Sequence, residues 1–279
     1  MFNLSEKLNQ LFMADPWQWP EEAQQWILDG LVNSETSVRL LACEVASQNL
    51  DAESADILLM LVRGDRDASV AAAAAVALGP TMEIYRDDID FGDDLDNLEV
   101  SEEELTQQNC EDILRCLEAV YRRSDRPKLV RRRCLEAAVR GPLTWQAEAV
   151  RDCWTSEDPQ WRATAVFCMG FLPNFDEEIL NALDIGNDDI QREALRSAGR
   201  RGLKTAGDAL VEVAANPQAD KDARIAAIEA LARVHPKNSD ELLHDLMQAE
   251  DKDIAYMAEY ALEERDLFGV DGLDDYLDT

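Results

Sequence analysis

Apolar residues in this chain recur at helical spacing within short segments, and the segments themselves recur. Seven anchor positions, Val38, Val70, Val130, Trp161, Ile190, Ala223 and Ile254, stand 32, 60, 31, 29, 33 and 31 residues apart. Only the second interval is irregular, and it equals one period plus about 29 inserted residues. Four residues after the anchors come Ala42, Ala74, Cys134, Ala165, Ala194, Ala227 and Ala258. Seven and eight after them the chain is again small or apolar, as at Ala137 and Ala138 or Ala230 and Leu231. These positions share one face of an α-helix, and small side chains there let a neighbouring helix come close. Three residues before the anchors stand Glu35, Asp67, Pro127, Asp158, Asn187, Asp220 and Asp251, mostly types that open helices by accepting backbone N–H groups. A second apolar-periodic segment precedes each anchor, "SADILLMLV" and "GDALVEVAA" for example. The spacing predicts helical hairpins, each unable to bury its apolar face alone and obliged to stack on its neighbours.

The unit D-x-x-[VI]-R-x-x-A-x-x-A-L resembles the second helix of a HEAT repeat. "DPQWRATAVFCMG", "DKDARIAAIEALA" and "ETSVRLLACEVAS" carry the likeness, which covers roughly residues 20–265. The short period is similar to the HEAT-like repeats of the phycobilisome-lyase type, common in bacterial proteins. The resemblance implies an all-α fold, an α-solenoid of about seven HEAT-like hairpins in a right-handed superhelix, with the anchor-bearing helices along its concave face. One array is expected over residues 1–265, interrupted by an acidic insertion at 80–101 and followed by an acidic tail at 266–279. Such an array needs capped ends, and Trp17, Trp19 and Trp26 are expected to cover the first hairpin. The resemblance also implies that an arginine just after an anchor pairs with the capping aspartate of a neighbouring unit. Asp158, Asp220 and Asp251 are available for Arg162 and Arg224. The arginine is missing at Ala71, Gln191 and Ala255.

Charge changes the picture most. The 279 residues carry a net charge of −31, with 46% hydrophobic and 30% charged residues. That field repels nucleic acid and anionic membrane surfaces and favours basic surfaces, cations or other proteins. Six cysteines, at 43, 110, 116, 134, 153 and 168, include no C-x-x-C pair and read as small buried hydrophobes of a reducing compartment. No signal peptide is evident, and the longest apolar run, "VAAAAAVALG", is too short to span a bilayer. A cytoplasmic protein with no membrane association is expected.

Two segments stand out against this background. From Glu83 to Glu104 the insertion carries 11 acids and one base, Arg86. No register of it supplies the ligands of an EF-hand calcium loop, and Ile89 and Phe91 make it too apolar for a plain spacer. Ser101 and Glu104 form a capping-box pattern. The insertion is expected to dock on the solenoid as a lid, with Ile89 and Phe91 as anchors and Asp93, Asp94 and Asp96 facing a basic stripe. That stripe is read from "YRRSDRPKLVRRRC" and the repeats after it: Arg131, Arg132, Arg133, Arg162, Arg192 and Arg224 are the candidate partner-binding residues. Arginine suits them because its planar fork engages both oxygens of a carboxylate or phosphate.

Chemistry is otherwise scarce. Only His235 and His244 exist, nine residues apart and so on different helical faces. Neither a metal pair nor a general base is indicated, and G-x-S-x-G, H-E-x-x-H, P-loop and G-x-G-x-x-G patterns are absent. "GRRGLKTAG" reads as an inter-helix loop closed by Gly202. The expectation is a non-enzymatic scaffold that binds another protein through its concave face and acidic surfaces, with no cofactor, metal or small-molecule substrate. Two alternatives stand beside it. One is an enzyme acting on a bilin or nucleic acid, as some HEAT-like proteins do, for which Asp152, Trp154, Trp161 and Arg162 are the nearest match. The other is an acidic mimic of nucleic acid.

Overall fold

The computed structural model describes residues 3–91, 105–142, 144–237 and 239–268; of 86–91 and 266–268 only the backbone is described. Among the described residues there are sixteen α-helices and no strand. They are α1 (Leu4–Phe12), α2 (Ala23–Leu31), α3 (Thr36–Ala46), α4 (Ala52–Gly64), α5 (Ala68–Ala77), α6 (Gly79–Phe91), α7 (Gln107–Tyr121) and α8 (Lys128–Ala138). There follow α9 (Gln146–Trp154), α10 (Pro159–Met169), α11 (Asp176–Leu183), α12 (Asp188–Arg200), α13 (Gly207–Ala215), α14 (Lys221–Val234), α15 (Ser239–Leu246) and α16 (Lys252–Phe268). The chain divides into two compact units, Met1–Ala149 and Val150–Thr279, and the division falls inside α9.

The hairpins follow the repeat. Each anchor is the third residue of a second helix: α3, α5, α8, α10, α12, α14 and α16 in turn. Their first-helix partners are α2, α4, α7, α9, α11, α13 and α15. Asp67, Asp158, Asn187, Asp220 and Asp251 accept the backbone N–H groups of Ser69, Gln160, Ile190, Ala223 and Ile254, so these helices begin where the sequence places their caps. Glu35 and Pro127 occupy the equivalent position without a side-chain bond.

Within each unit the second helices pack on one another in series. In the first unit α3 packs on α5 and α5 on α8; in the second, α10 packs on α12, α12 on α14 and α14 on α16. All seven residues four positions after the anchors are fully buried. The arrangement is therefore solenoid-like and all-α, built of seven HEAT-like hairpins. The six cysteines are buried free thiols, as small hydrophobes should be.

Two helices lie outside the hairpin series. Helix α1 packs on α2 and α3 with Leu8 and Leu11 buried, and caps the first hairpin. The Nε1 of Trp19 closes its C-terminus by donating to the carbonyls of Leu11 and Ala14. Trp26 is half-buried with the Lys7 ammonium over its ring, but Trp17 is 80% exposed and covers nothing. Only part of the expected tryptophan cap therefore exists, because α1 itself supplies the apolar surface. Helix α6 is the first part of the insertion; it packs on α5, α7 and α8, with Met82 fully buried and Glu83 paired with Arg140. Ile89 and Phe91 lie on its last turns, where side chains are not described, and Asp93, Asp94, Asp96, Ser101 and Glu104 lie outside the described residues. Helix α7 is opened by a capping box between Thr106 and Asn109.

The run Ala68–Tyr85 has a mean hydropathy of 1.3 and passes for a membrane span by length and composition, yet half of it is buried inside the first unit. Helix α12 ends at Gly202 with φ +61°, where Leu203 N–H reaches Ala198 O and Gly202 N–H reaches Gly199 O. That is the left-handed turn glycine tolerates best.

The series demands small residues at specific points. A Cβ added to Gly199 of α12 would lie 2.6 Å from the Ala230 Cβ and 2.7 Å from its Cα on α14. Gly199→Ala is expected to destabilise the second unit by about 2 kcal/mol. Gly186→Ala, which meets nothing within 4 Å, is expected to stay within about 0.5 kcal/mol of wild type in the same urea titration.

Candidate functional site

The arginines singled out by the repeat are, first of all, locks of their own hairpins. One residue past the anchor, Arg131 Nε donates to the carbonyl of Tyr121, the last residue of α7, at 2.8 Å. Arg224 Nε donates to Ala214 O near the end of α13 at 3.2 Å. Arg39 donates to Asn33 O and Ser34 O just beyond α2. Gln191, at the position where the pattern lacks its arginine, donates to Leu183 O at the end of α11. The final carbonyls of a helix have no partner within it, and a cationic donor there also meets the negative end of the helix dipole. Arg162 differs: its guanidinium lies 5.0 Å from the centre of the Trp154 ring at the end of α9, and its buried Nε meets no acceptor among the described residues.

Pairing of Arg162 and Arg224 with a neighbour's capping aspartate, as expected from the resemblance, is not what the structure shows. The nearest acceptors for a side chain at that position belong to the helix in front of it. Arg39 does reach the next hairpin, though at Asp65 after α4 and not at the capping Asp67. It forms a two-pronged pair with Asp65 of the next hairpin, 2.9 and 3.1 Å long, with both side chains about 5% exposed.

The remaining candidates are held by acids. Arg132 and Arg133 both reach Glu136, one turn on in α8. Arg192 pairs with Asp189 and lies 3.9 Å from Asp222 of α14. Of the six arginines, Arg131–Arg133 belong to the first unit and Arg162, Arg192 and Arg224 to the second.

What the structure does build in the first unit is a groove of about 600 Å³ across α3, α5 and α8. Its floor is the outward side of α5, Ala72, Ala73 and Val76, and its walls carry Phe12, Leu129 and Arg133. The sequence of α5, ASVAAAAAVA, is apolar all round, the pattern of a helix buried on every side. Helices α3, α4 and α8 cover three sides, and the fourth is left open with Val76 49% exposed. Phe12 and Leu129 are exposed beside it. Arg133 is the one sequence-nominated arginine on this groove; Phe12, Ala73 and Val76 were not nominated. Cys43 lies beneath the groove, where burial, and then the Asp65 carboxylate, push its thiol up to about 12.

No protein-family model matches the chain, and no curated protein matches it by sequence. Among solved structures it is similar to YibA of Escherichia coli, at 13% identity over 95% of this chain and 97% of the other, with a TM-score of 0.48. It is also similar to human deoxyhypusine hydroxylase in complex with glycerol, at 14% identity over 94% and 97%, with a TM-score of 0.42. The second likeness corrects the expectation of a non-enzymatic scaffold. At these TM-scores neither likeness transfers an activity, a substrate or a metal.

Two outcomes follow from the Arg39–Asp65 pair and the thiol beside it. Asp65→Asn leaves a buried guanidinium without its counter-charge and is expected to cost the first unit about 3–5 kcal/mol in urea denaturation, most of it recovered when Arg39→Met and Asp65→Leu are combined. Because the Cys43 thiol is pushed upward in the folded chain, its contribution to stability is complete below the ordinary thiol value near 9 and is lost as the pH rises from there through about 12. Denaturation midpoints measured from pH 8 to 11 are expected to fall more steeply for wild type than for Cys43→Ala.

Proposed function

We propose that the first unit is a recognition module that takes an amphipathic helix of another polypeptide into the groove across α3, α5 and α8. One observation carries this reading: the open side of α5, an apolar strip bounded by Phe12 and Leu129 on a chain of net charge −31. Helices packed side by side present a trough between their ridges, and an apolar helix face laid into such a trough is a recurrent mode of peptide recognition. Ala72 and Ala73 make the floor shallow enough for a backbone to come near. The overall negative charge favours a segment whose outward face is basic, since the field raises its encounter rate.

This reading replaces the scaffold. It assigns a binding step to one face of one unit and is compatible with chemistry on whatever is bound. The repeat spacing of 29–33 residues also supports placing the hairpins with the short HEAT-like repeats of the phycobilisome-lyase type.

Selection of displayed 20-residue amphipathic helices on the full chain tests it. Enriched peptides are expected to share apolar residues at i, i+3, i+4 and i+7 with lysine or arginine between them, and to lose at least about tenfold in affinity to Ala73→Glu. Failure to enrich any helix, or enriched helices that bind Ala73→Glu as tightly as wild type, would overturn the proposal.

A further inference from the structure

The second unit contains a small, highly organised concavity that neither the repeat pattern nor the groove of the first unit explains. It lies between α12 and α14, which approach so closely at Gly199 and Ala230 that no Cβ could be added to Gly199. Arg196 and Arg200 stand one turn apart on α12, and Glu229 and Arg233 one turn apart on α14. These four side chains ring the Gly199–Ala230 contact and enclose about 80 Å³.

Each guanidinium is held in place from outside the notch. Arg196 is bonded to Glu193 at 3.2 Å. Arg200 lies 3.9 Å above the ring of Phe171, which belongs to the segment after α10. Arg233 is bonded at 2.9 Å to Glu264 of α16, a carboxylate only 8% exposed. Each arginine thus has one contact that biases its direction, while its side chain stays exposed to solvent, 42% for Arg196 and 45% for Arg233. Glu229 is likewise exposed, at the rim.

Size and charge together define the guest. Arg196, Arg200, Glu229 and Arg233 leave about 80 Å³ of solvent-accessible space between them, a notch suited to one small polar group and not to an extended ligand. Three guanidiniums against Glu193, Glu229 and Glu264 leave no surplus positive charge. A dianion is poorly served there, whereas a carboxylate can exchange its water for the planar forks of arginine. Glu229 at the mouth accepts hydrogen bonds and suits a guest whose carboxylate is followed by an N–H group.

We infer that the notch between α12 and α14 binds a single carboxylate carried beside a peptide N–H, with Arg196, Arg200 and Arg233 on the carboxylate and Glu229 on the N–H. Two parts of a polypeptide offer that chemistry: a chain terminus and an aspartate side chain. The site is independent of the groove in the first unit and stands or falls separately from it.

The full-length chain, labelled so that arginine Nε–H signals are visible by NMR, tests the assignment. It is titrated with N-acetylglycine for the chain terminus, N-acetylaspartate amide for the side chain, acetate as a carboxylate without the N–H, inorganic phosphate, and sodium chloride at matched ionic strength. A saturable shift of the Arg196 and Arg200 signals is expected with one or both N-acetyl carboxylates, and the tighter of the two names the source. Arg196→Gln is expected to weaken it about tenfold, and Glu229→Ala, which removes the acceptor for the N–H, to narrow the preference for N-acetylglycine over acetate. Arg233 is left intact because its loss would strand buried Glu264. An unchanged thermal transition in each variant shows that the unit is folded. Shifts equal to those with chloride, indifference to Arg196→Gln, or tighter binding of phosphate than of either carboxylate would each overturn the inference.

Discussion

The structure rests on how closely the second helices of neighbouring hairpins approach. Four residues past every anchor stands an alanine or a cysteine, and each is fully buried against the next helix. Small side chains in that row let helix axes come to the near end of the usual 8–10 Å spacing, where dispersion contacts are dense and no void is left. A larger residue anywhere in the row would force a local shift, and because each hairpin touches only its neighbours the shift would be passed along the unit. At the tightest point, between Gly199 and Ala230, there is room for one methyl group and not for two.

Much of this was readable in the sequence, for a physical reason. A period of about 31 residues and a small face repeated on each unit are local properties, and stacking enforces them at every hairpin, so each copy confirms the others. The destinations of the arginines were not readable in the same way. An arginine just after an anchor can reach a neighbour's aspartate or its own hairpin's last carbonyls, and the sequence does not say which lies nearer. Gln191 was the available hint. It replaces arginine yet keeps a long side-chain donor, which fits a carbonyl acceptor better than a carboxylate partner. Ala71 and Ala255 keep no donor at all.

The groove and the notch were missed for different reasons. The groove needs Phe12 from α1, which lies outside the repeat, so no internal comparison could supply its wall. Its floor was visible as the alanine-rich helix, but an alanine run reads as core until one knows that only three of its sides are covered. The notch did leave a trace: Arg200 and Arg233 occupy the same position of successive repeats, ten residues past Ile190 and Ala223. A search confined to the residues next to each anchor passes over them. Function was least legible of all, because stacked hairpins have the same core whether or not a surface above them carries out a reaction.

Helix α6 shows how such an array accommodates added chain. It follows α5 directly and packs on α5, α7 and α8, yet α5 and α8 remain packed together as consecutive members of the series. As far as residue 91 the added chain lies against the stack without separating α5 from α8. Lengthening a surface connection costs entropy that grows only with the logarithm of its length, so the seam between the second and third hairpins is a permissive junction. Additional sequence can be carried there while the register of the core stays as it is, which lets the periphery of the molecule diversify independently of its repeat.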